Sequence, residues 1–361
     1  MNATQATIDL DDTEGLLAAD REGLLRAAST AGAQVRAAAA AMDEGALDAV
    51  SGDEPPRTVI WVAGRGAAET AGTMLAATFG NWTAAPIVVA AEAPPWIGAL
   101  DVLIVAGDDP DDPALVGAAA RGVRRGTRVV VAAPYQGPLR DTTAGRVAVI
   151  EPRLPIPDEF RLSRYLAAGL AALQSVDPKL RVDLAALADE LDAEALRNSA
   201  SREVFTNPAK ALVERMSRRR VVLAGDCAAT LALARHGSSV LLRIAHQVVA
   251  ATGLSDAMVA LRGVAESGSS DPDEALFHDE EIDGPVAERL RVLALTLDAE
   301  RSVVASRVAA LDGVDIVGAE DVPDLSDDRS ASVSAQRAEQ QLAILAVRLE
   351  MAAVYLRLVR G

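Results

Sequence analysis

The sequence predicts an α/β protein: two doubly wound parallel-sheet units in tandem, preceded by a helical segment. Three observations predict it. Short apolar runs bounded by Gly, Pro and Asp alternate with segments of helical spacing. That alternation starts near residue 58, gives way to helical spacing after residue 158, and restarts near 220. Each start reads strand, glycine, helix, as WVAGRGAAETAG at 61–72 and VLAGDCAAT at 222–230. The units are read as 55–200 and 201–361, with 1–50 as the helical lead.

The elements follow in order. Residues 12–49 set Leu16, Leu17, Leu24 and Leu25 at helical steps with alanine between them, which predicts one or two helices. SGDEPP at 51–56 breaks the pattern. A strand is predicted over 58–63, a helix over 67–79, strands over 86–91 and 102–106, a helix over 113–124, and strands over 128–133 and 147–150. Helical spacing then covers 158–175 and 183–197. NPAK at 207–210 opens a short helix, with Asn207 as N-cap and Pro208 at the first helical position. The second unit reads as a strand over 220–224, a long helix over 227–251, and strands over 258–262 and 292–297. A helix over 299–310, a strand over 314–317, a polar loop over 318–330 and a helix over 332–358 complete it. The segment 229–251 carries Leu231, Leu233, Val240, Leu241, Leu242, Ile244, Val248 and Val249. It is apolar on nearly every side, which predicts burial. Leu342, Leu345, Leu349, Ala352 and Leu356 supply a second stripe on the last helix.

Composition narrows the function classes. The chain has 361 residues, half of them hydrophobic but only 3% aromatic, so Ala, Val and Leu must build the core. Lys and Arg number 35 against 52 Asp and Glu, a net charge of −17. Such a surface repels phosphate backbones and anionic lipid, so no nucleic acid and no membrane surface is expected as partner. Cys227 is the single cysteine, which permits neither a disulfide framework nor a cysteine-based metal site and fits a reducing cytoplasm. The opening MNATQATIDLDDTEG has no basic or apolar targeting region, and no run of about 18 apolar residues occurs, so the expectation is a cytoplasmic protein without a membrane span.

In open parallel sheets ligands sit at the carboxyl ends of the strands. Two loops therefore matter, Gly64-Arg65-Gly66 and GDDPDDP at 107–113. The first is not a dinucleotide fingerprint, because Glu69 stands where the third glycine belongs and no ribose-binding acid follows, so no cofactor is expected. Arg65 is a solvated loop residue or an anion binder. In the second loop Asp112-Pro113 reads as a helix start, with Asp112 as cap and the other aspartates favouring the dipole. The alternative is a site for a cation or a cationic partner. No His or Cys partners the carboxylates, so no metal is assigned. His236 and His246 read as packed or interface residues, Cys227 as a small residue at a helix start, and the arginines at 218–220 as a solvated flank.

Several stretches together carry a family resemblance: AGRGAAETAG at 63–72, PDEFRLSRYLAAGLAAL at 157–173, NPAK, FHDEEIDG at 277–284, and the ending VYLRLVRG. Over roughly 55–361 the chain resembles the sugar isomerase (SIS) domain family. Within it the chain is most similar to the bifunctional phosphoglucose/phosphomannose isomerases and their TobH-type actinobacterial branch. The resemblance implies two tandem SIS domains, a carbohydrate derivative as ligand, and a homodimer with 229–251 in its core. Ligand-binding positions carried over are Gly64, Arg65, Gly66, Ala68, Asp109 and Asp112. The family's Gly-Gly-Ser loop reads Gly66, Ala67, Ala68 here, and its Ser/Thr-rich phosphate turn reads GDDPDD. Its hydroxyls fall on or next to Asp109 and Asp112. An ionised carboxylate donates no hydrogen bond. At ~5 Å and an effective dielectric near 20, each carboxylate–phosphate pair costs roughly 3 kcal/mol.

Aldose–ketose isomerisation needs a ring-opening acid, a base between C1 and C2, and a cation for the enediolate. The family's His matches His278 and its Arg matches Arg161. Its Glu falls near Leu242, and no Asp or Glu occurs between Asp226 and Asp256. The expectation is a degenerate homologue, non-catalytic or impaired, acting as scaffold, regulator or sensor in sugar-phosphate metabolism, with a carbohydrate derivative or a protein as partner. The alternative is an active glucose-6-phosphate/mannose-6-phosphate isomerase with a rebuilt site, using Glu69, Glu266 or Glu280 as base.

Overall fold

The computed structural model describes residues 8–52, 54–80, 83–217, 219–267, 289–321 and 337–360. Three helices lead: α1 (Thr13–Ala19), α2 (Leu24–Ala28) and α3 (Ala31–Asp43). The first sheet holds β1 (Val59–Ala63), β2 (Ile87–Ala90), β3 (Val102–Ala106), β4 (Arg128–Ala132) and β5 (Ala148–Val149), all parallel in the order β2-β1-β3-β4-β5. Its helices are α4 (Ala67–Phe79), α5 (Pro113–Arg125) and a short α6 (Gly137–Thr143). Then come α7 (Leu162–Val176), α8 (Leu184–Arg197) and α9 (Pro208–Met216). The second sheet holds β6 (Arg220–Gly225), β7 (Ala250–Gly253), β8 (Leu290–Leu295) and β9 (Val314–Val317), parallel in the order β7-β6-β8-β9. Around it lie α10 (Ala228–Ala245), α11 (Leu254–Ser267), α12 (Asp298–Val308) and the closing α13 (Ala338–Arg360).

Alternation along the strands sorts the core. Ile60, Val62, Leu103 and Val105 face Leu115 and Ala119 of α5, while Val59, Trp61, Val102 and Ile104 face the opposite way. That second face belongs to one cluster running from Leu16 to Leu358, which also takes Val221, Leu223, Leu293 and Leu295 of the second sheet. The inner faces of both sheets thus close on a shared layer of α4, α7, α10 and α13. The outer face of the second sheet has its own cluster with α11 and α12. Burial of this apolar area at about 25 cal/mol per Å² is the main term holding the units together.

Two sequence expectations are corrected between 246 and 262. The helix predicted to 251 stops at Ala245, because His246 takes a left-handed conformation (φ 52°) and the next residues turn into edge strand β7. The predicted strand 258–262 is the middle of α11. Its buried Leu254, Ala257, Met258 and Leu261 follow the helical steps of three and four that a five-residue window hides. Nor is α10 buried all round. Arg235, Ser239, Leu242 and Arg243 form an exposed stripe, and Leu242 is 51% exposed. The helices buried almost completely are α7 and α13.

Candidate functional site

The strand order reverses between β1 and β3, so the crevice between their carboxyl ends is the topological switch point. Gly64 bridges the two strands, its N–H donating to the Ala106 carbonyl at 3.2 Å. Gly66 has φ +65°, a conformation other residues avoid, and it swings the chain into α4. The start of α4 is fixed from beneath: Trp61 Nε1 donates to the Ala68 carbonyl at 2.9 Å, and Gly72 lets the helix lie on the indole. Ala68 is buried in that packing, whereas Arg65 and Gly66 are exposed.

The second wall of the crevice is the aspartate loop. Asp109 Oδ1 accepts from the Asp111 N–H at 2.9 Å, an Asx turn. Asp112 Oδ1 accepts from the Ala114 N–H at 2.8 Å and caps α5. The other oxygen of Asp112 lies against Gly64, so close that a Cβ there would sit 3.2 Å from it. This carboxylate therefore spans from the β3 loop to the β1 loop. Asp108, which the sequence did not single out, meets Arg161 at 2.8 Å and Arg164 at 2.5 Å. Arg161 also pairs with Asp158 at 2.6 Å and donates through Nε to the Ile156 carbonyl. Arg164 lies over the Tyr165 ring and donates to its hydroxyl. Burial raises the Asp108 carboxyl, but the Tyr165 hydrogen bond and the charges of Arg164 and Arg161 outweigh it and hold the group below the usual range. Burial pushes the Tyr165 hydroxyl far up, so it stays protonated. The signal for this cluster was in the sequence: two arginines three apart at a helix start, opposite an acidic loop.

The remaining assigned residues scatter. His278 and the FHDEEIDG stretch lie outside the described residues. Leu242 stands on the exposed stripe of α10. NPAK builds structure: Asn207 caps α9, and the buried Lys210 donates to the carbonyls of Ala200 and Arg202 at 2.8 and 2.7 Å, above the Tyr355 ring. His236 of α10, read from sequence as a packed or interface residue, is buried, and its Nε2 lies 2.9 Å from Glu350 of α13. Burial drives the Glu350 carboxyl up, and the His236 hydrogen bond draws it back only in part. His236 also lines a cavity between α4 and α10. At the second switch point, between β6 and β8, Asp226, Cys227 and Glu300 bring one ligand atom each within 4.8 Å of one another. Asp226 there accepts from Thr230 at 2.9 Å, and Thr230 also closes the cap of α10 with Cys227.

No family model matches the sequence, and no curated protein matches it. Solved structures do match along almost the whole chain. The tagatose-6-phosphate ketose/aldose isomerase of Escherichia coli aligns with a TM-score of 0.59 at 11% identity, over 96% of this chain and 92% of that one. A glucose-6-phosphate isomerase-like protein of Thermus thermophilus gives 0.56 at 18% identity, over 98% and 96%. The C-terminal domain of glucosamine-fructose-6-phosphate aminotransferase from Francisella tularensis gives 0.56 at 9% identity, over 96% of each chain. At these identities the likeness carries the fold: a tandem SIS-type fold, as the sequence predicted. No helix among the described residues is long and apolar enough to cross a membrane.

Proposed function

We propose that this chain is a non-isomerising relative of the sugar-phosphate isomerases, a carbohydrate-derivative-binding regulator or sensor whose switch-point crevice no longer accepts a phosphate. One observation carries the reading. The Asp112 carboxylate reaches across the crevice to Gly64, where a phosphate would need hydrogen-bond donors. Neither loop offers a hydroxyl, since they read Gly-Arg-Gly and Gly-Asp-Asp-Pro-Asp-Asp. Arg161, the matched enediolate cation, is already engaged by Asp108 and Asp158. A phosphate at ~5 Å from Asp112 would face a repulsion of roughly 3 kcal/mol, against which the crevice sets only the exposed Arg65 and the uncapped N–H groups of α4. The exposed Leu242 and Val248 beside α10 support a homodimer joined through that face.

A second reading, an active aldose–ketose isomerase with a rebuilt base, is favoured by the His236–Glu350 pair. A carboxylate that orients an imidazole is a common general-base arrangement. Proton NMR of the purified protein with fructose 6-phosphate, followed for hours, separates the two. The first reading expects no glucose 6-phosphate or mannose 6-phosphate signals. Their growth, abolished in His236→Gln, would establish the second.

A further inference from the structure

The cavity between α4 and α10 has a volume of about 210 Å³. Its charged walls are Glu69 of α4, Asp158 and Glu159 of the turn before α7, and Arg235, His236 and Arg243 of α10. Most of these charges are matched within the protein. Asp158 holds Arg161, Glu159 holds Arg243 at 2.7 Å, and His236 Nε2 meets Glu350. Two are not. Glu69 and Arg235 are exposed to the cavity mouth, and neither side chain has an ion pair or hydrogen bond with any described residue. They stand on facing helices, one able only to accept and the other only to donate. His236 lines the same cavity, only 5% exposed at its side chain, with its Nε2 on Glu350 and no hydrogen bond from its Nδ1 to a described residue. The start of α4 has no side-chain cap and adds backbone N–H groups to the same rim.

A ligand that satisfies this set must donate and accept along one edge. A hydroxyl does both, and two neighbouring hydroxyls can meet a carboxylate or a guanidinium side by side. A phosphate dianion donates nothing and so leaves the unmatched Glu69 carboxylate without a partner. The volume lies below the roughly 300–1,000 Å³ of pockets for drug-sized ligands, which suits one sugar ring rather than a nucleotide sugar. We propose that this cavity binds a single unphosphorylated monosaccharide, with Glu69 and Arg235 each taking ring hydroxyls and His236 Nδ1 fixing a third. The proposal rests on the reading that the phosphate crevice is closed, and it names the ligand class of the sensor.

Calorimetric titration with D-glucose, D-mannose and N-acetyl-D-glucosamine, and with glucose 6-phosphate and mannose 6-phosphate, tests it. At least one free sugar should bind saturably, and Glu69→Ala and Arg235→Ala should each weaken it tenfold or more at unchanged Tm. Glu92→Ala, remote from the cavity, should leave the affinity as it was. A 6-phosphate should bind at least tenfold more weakly than its parent sugar. The proposal is overturned if none of the three sugars binds, if Glu69→Ala and Arg235→Ala leave affinity unchanged, or if a 6-phosphate binds more tightly than its parent. Turnover of fructose 6-phosphate would contradict the underlying reading. Absence of both turnover and sugar binding would remove the cavity assignment alone.

Discussion

Asp108 and Asp112 stand four positions apart in one loop and do different work. Asp112 caps α5 with one oxygen and closes on Gly64 with the other. Replacing it with Ala removes a cap worth about 1 kcal/mol, and urea unfolding should show a loss of that size. Asp108 instead carries the counter-charge for Arg161 and Arg164. A second buried cluster sets stability more strongly. Arg348 of α13 donates to Glu194 of α8 at 2.8 Å and to the carbonyls of Gly318 and Ala319. Both side chains are essentially unexposed. Removing Arg348 leaves the buried Glu194 with only Arg197 and Asn198 and strips two buried carbonyls of their donor, so Arg348→Ala should cost about 3 kcal/mol, the lower end for a broken buried pair, read by the same unfolding experiment. Burial raises the Glu194 carboxyl, but the charges and hydrogen bonds of Arg348, Arg197 and Asn198 hold it below its ordinary 4.5. A depressed folded value means the contribution is full above pH 4.5 and is lost as pH falls through the folded value. The acid limb of stability against pH should therefore flatten in Glu194→Gln; an unchanged limb would show that other carboxylates govern it.

At the scale of elements, α10 shows why sequence reading succeeded and where it stopped. Its start was legible, because a strand, a glycine and a small residue at Cys227 are all local signals. Its end was not. No glycine or proline marks it, and His246 adopts the left-handed turn without a sequence cue. Missing that turn concealed β7 and made the apolar steps of α11 look like a strand. Likewise, an apolar inventory of α10 suggested full burial. The structure turns one stripe outward, with Leu242 between charged Arg235 and Arg243. If the exposed Leu242 and Val248 join two copies, Leu242→Glu should convert a dimer to a monomer in light scattering after gel filtration. A wild-type monomer would remove the homodimer from the account.

At the scale of the whole molecule, the fold was legible because parallel strands buried on both faces leave near-continuous apolar runs. Val102–Ala106 and Val59–Ala63 are examples, each followed by a glycine turn. The candidate site was legible only in part. The crevice loops could be placed from the strand ends, but which oxygen of Asp112 would turn toward Gly64 depends on packing between loops distant in sequence. The His236–Glu350 pair joins positions more than one hundred residues apart, and no local pattern announces it. The central claim, a crevice closed to phosphate, is tested most directly by phosphorus NMR of fructose 6-phosphate titrated with the protein. The account predicts a linewidth and shift that do not change as protein is added. Saturable broadening that inorganic phosphate reverses would contradict it.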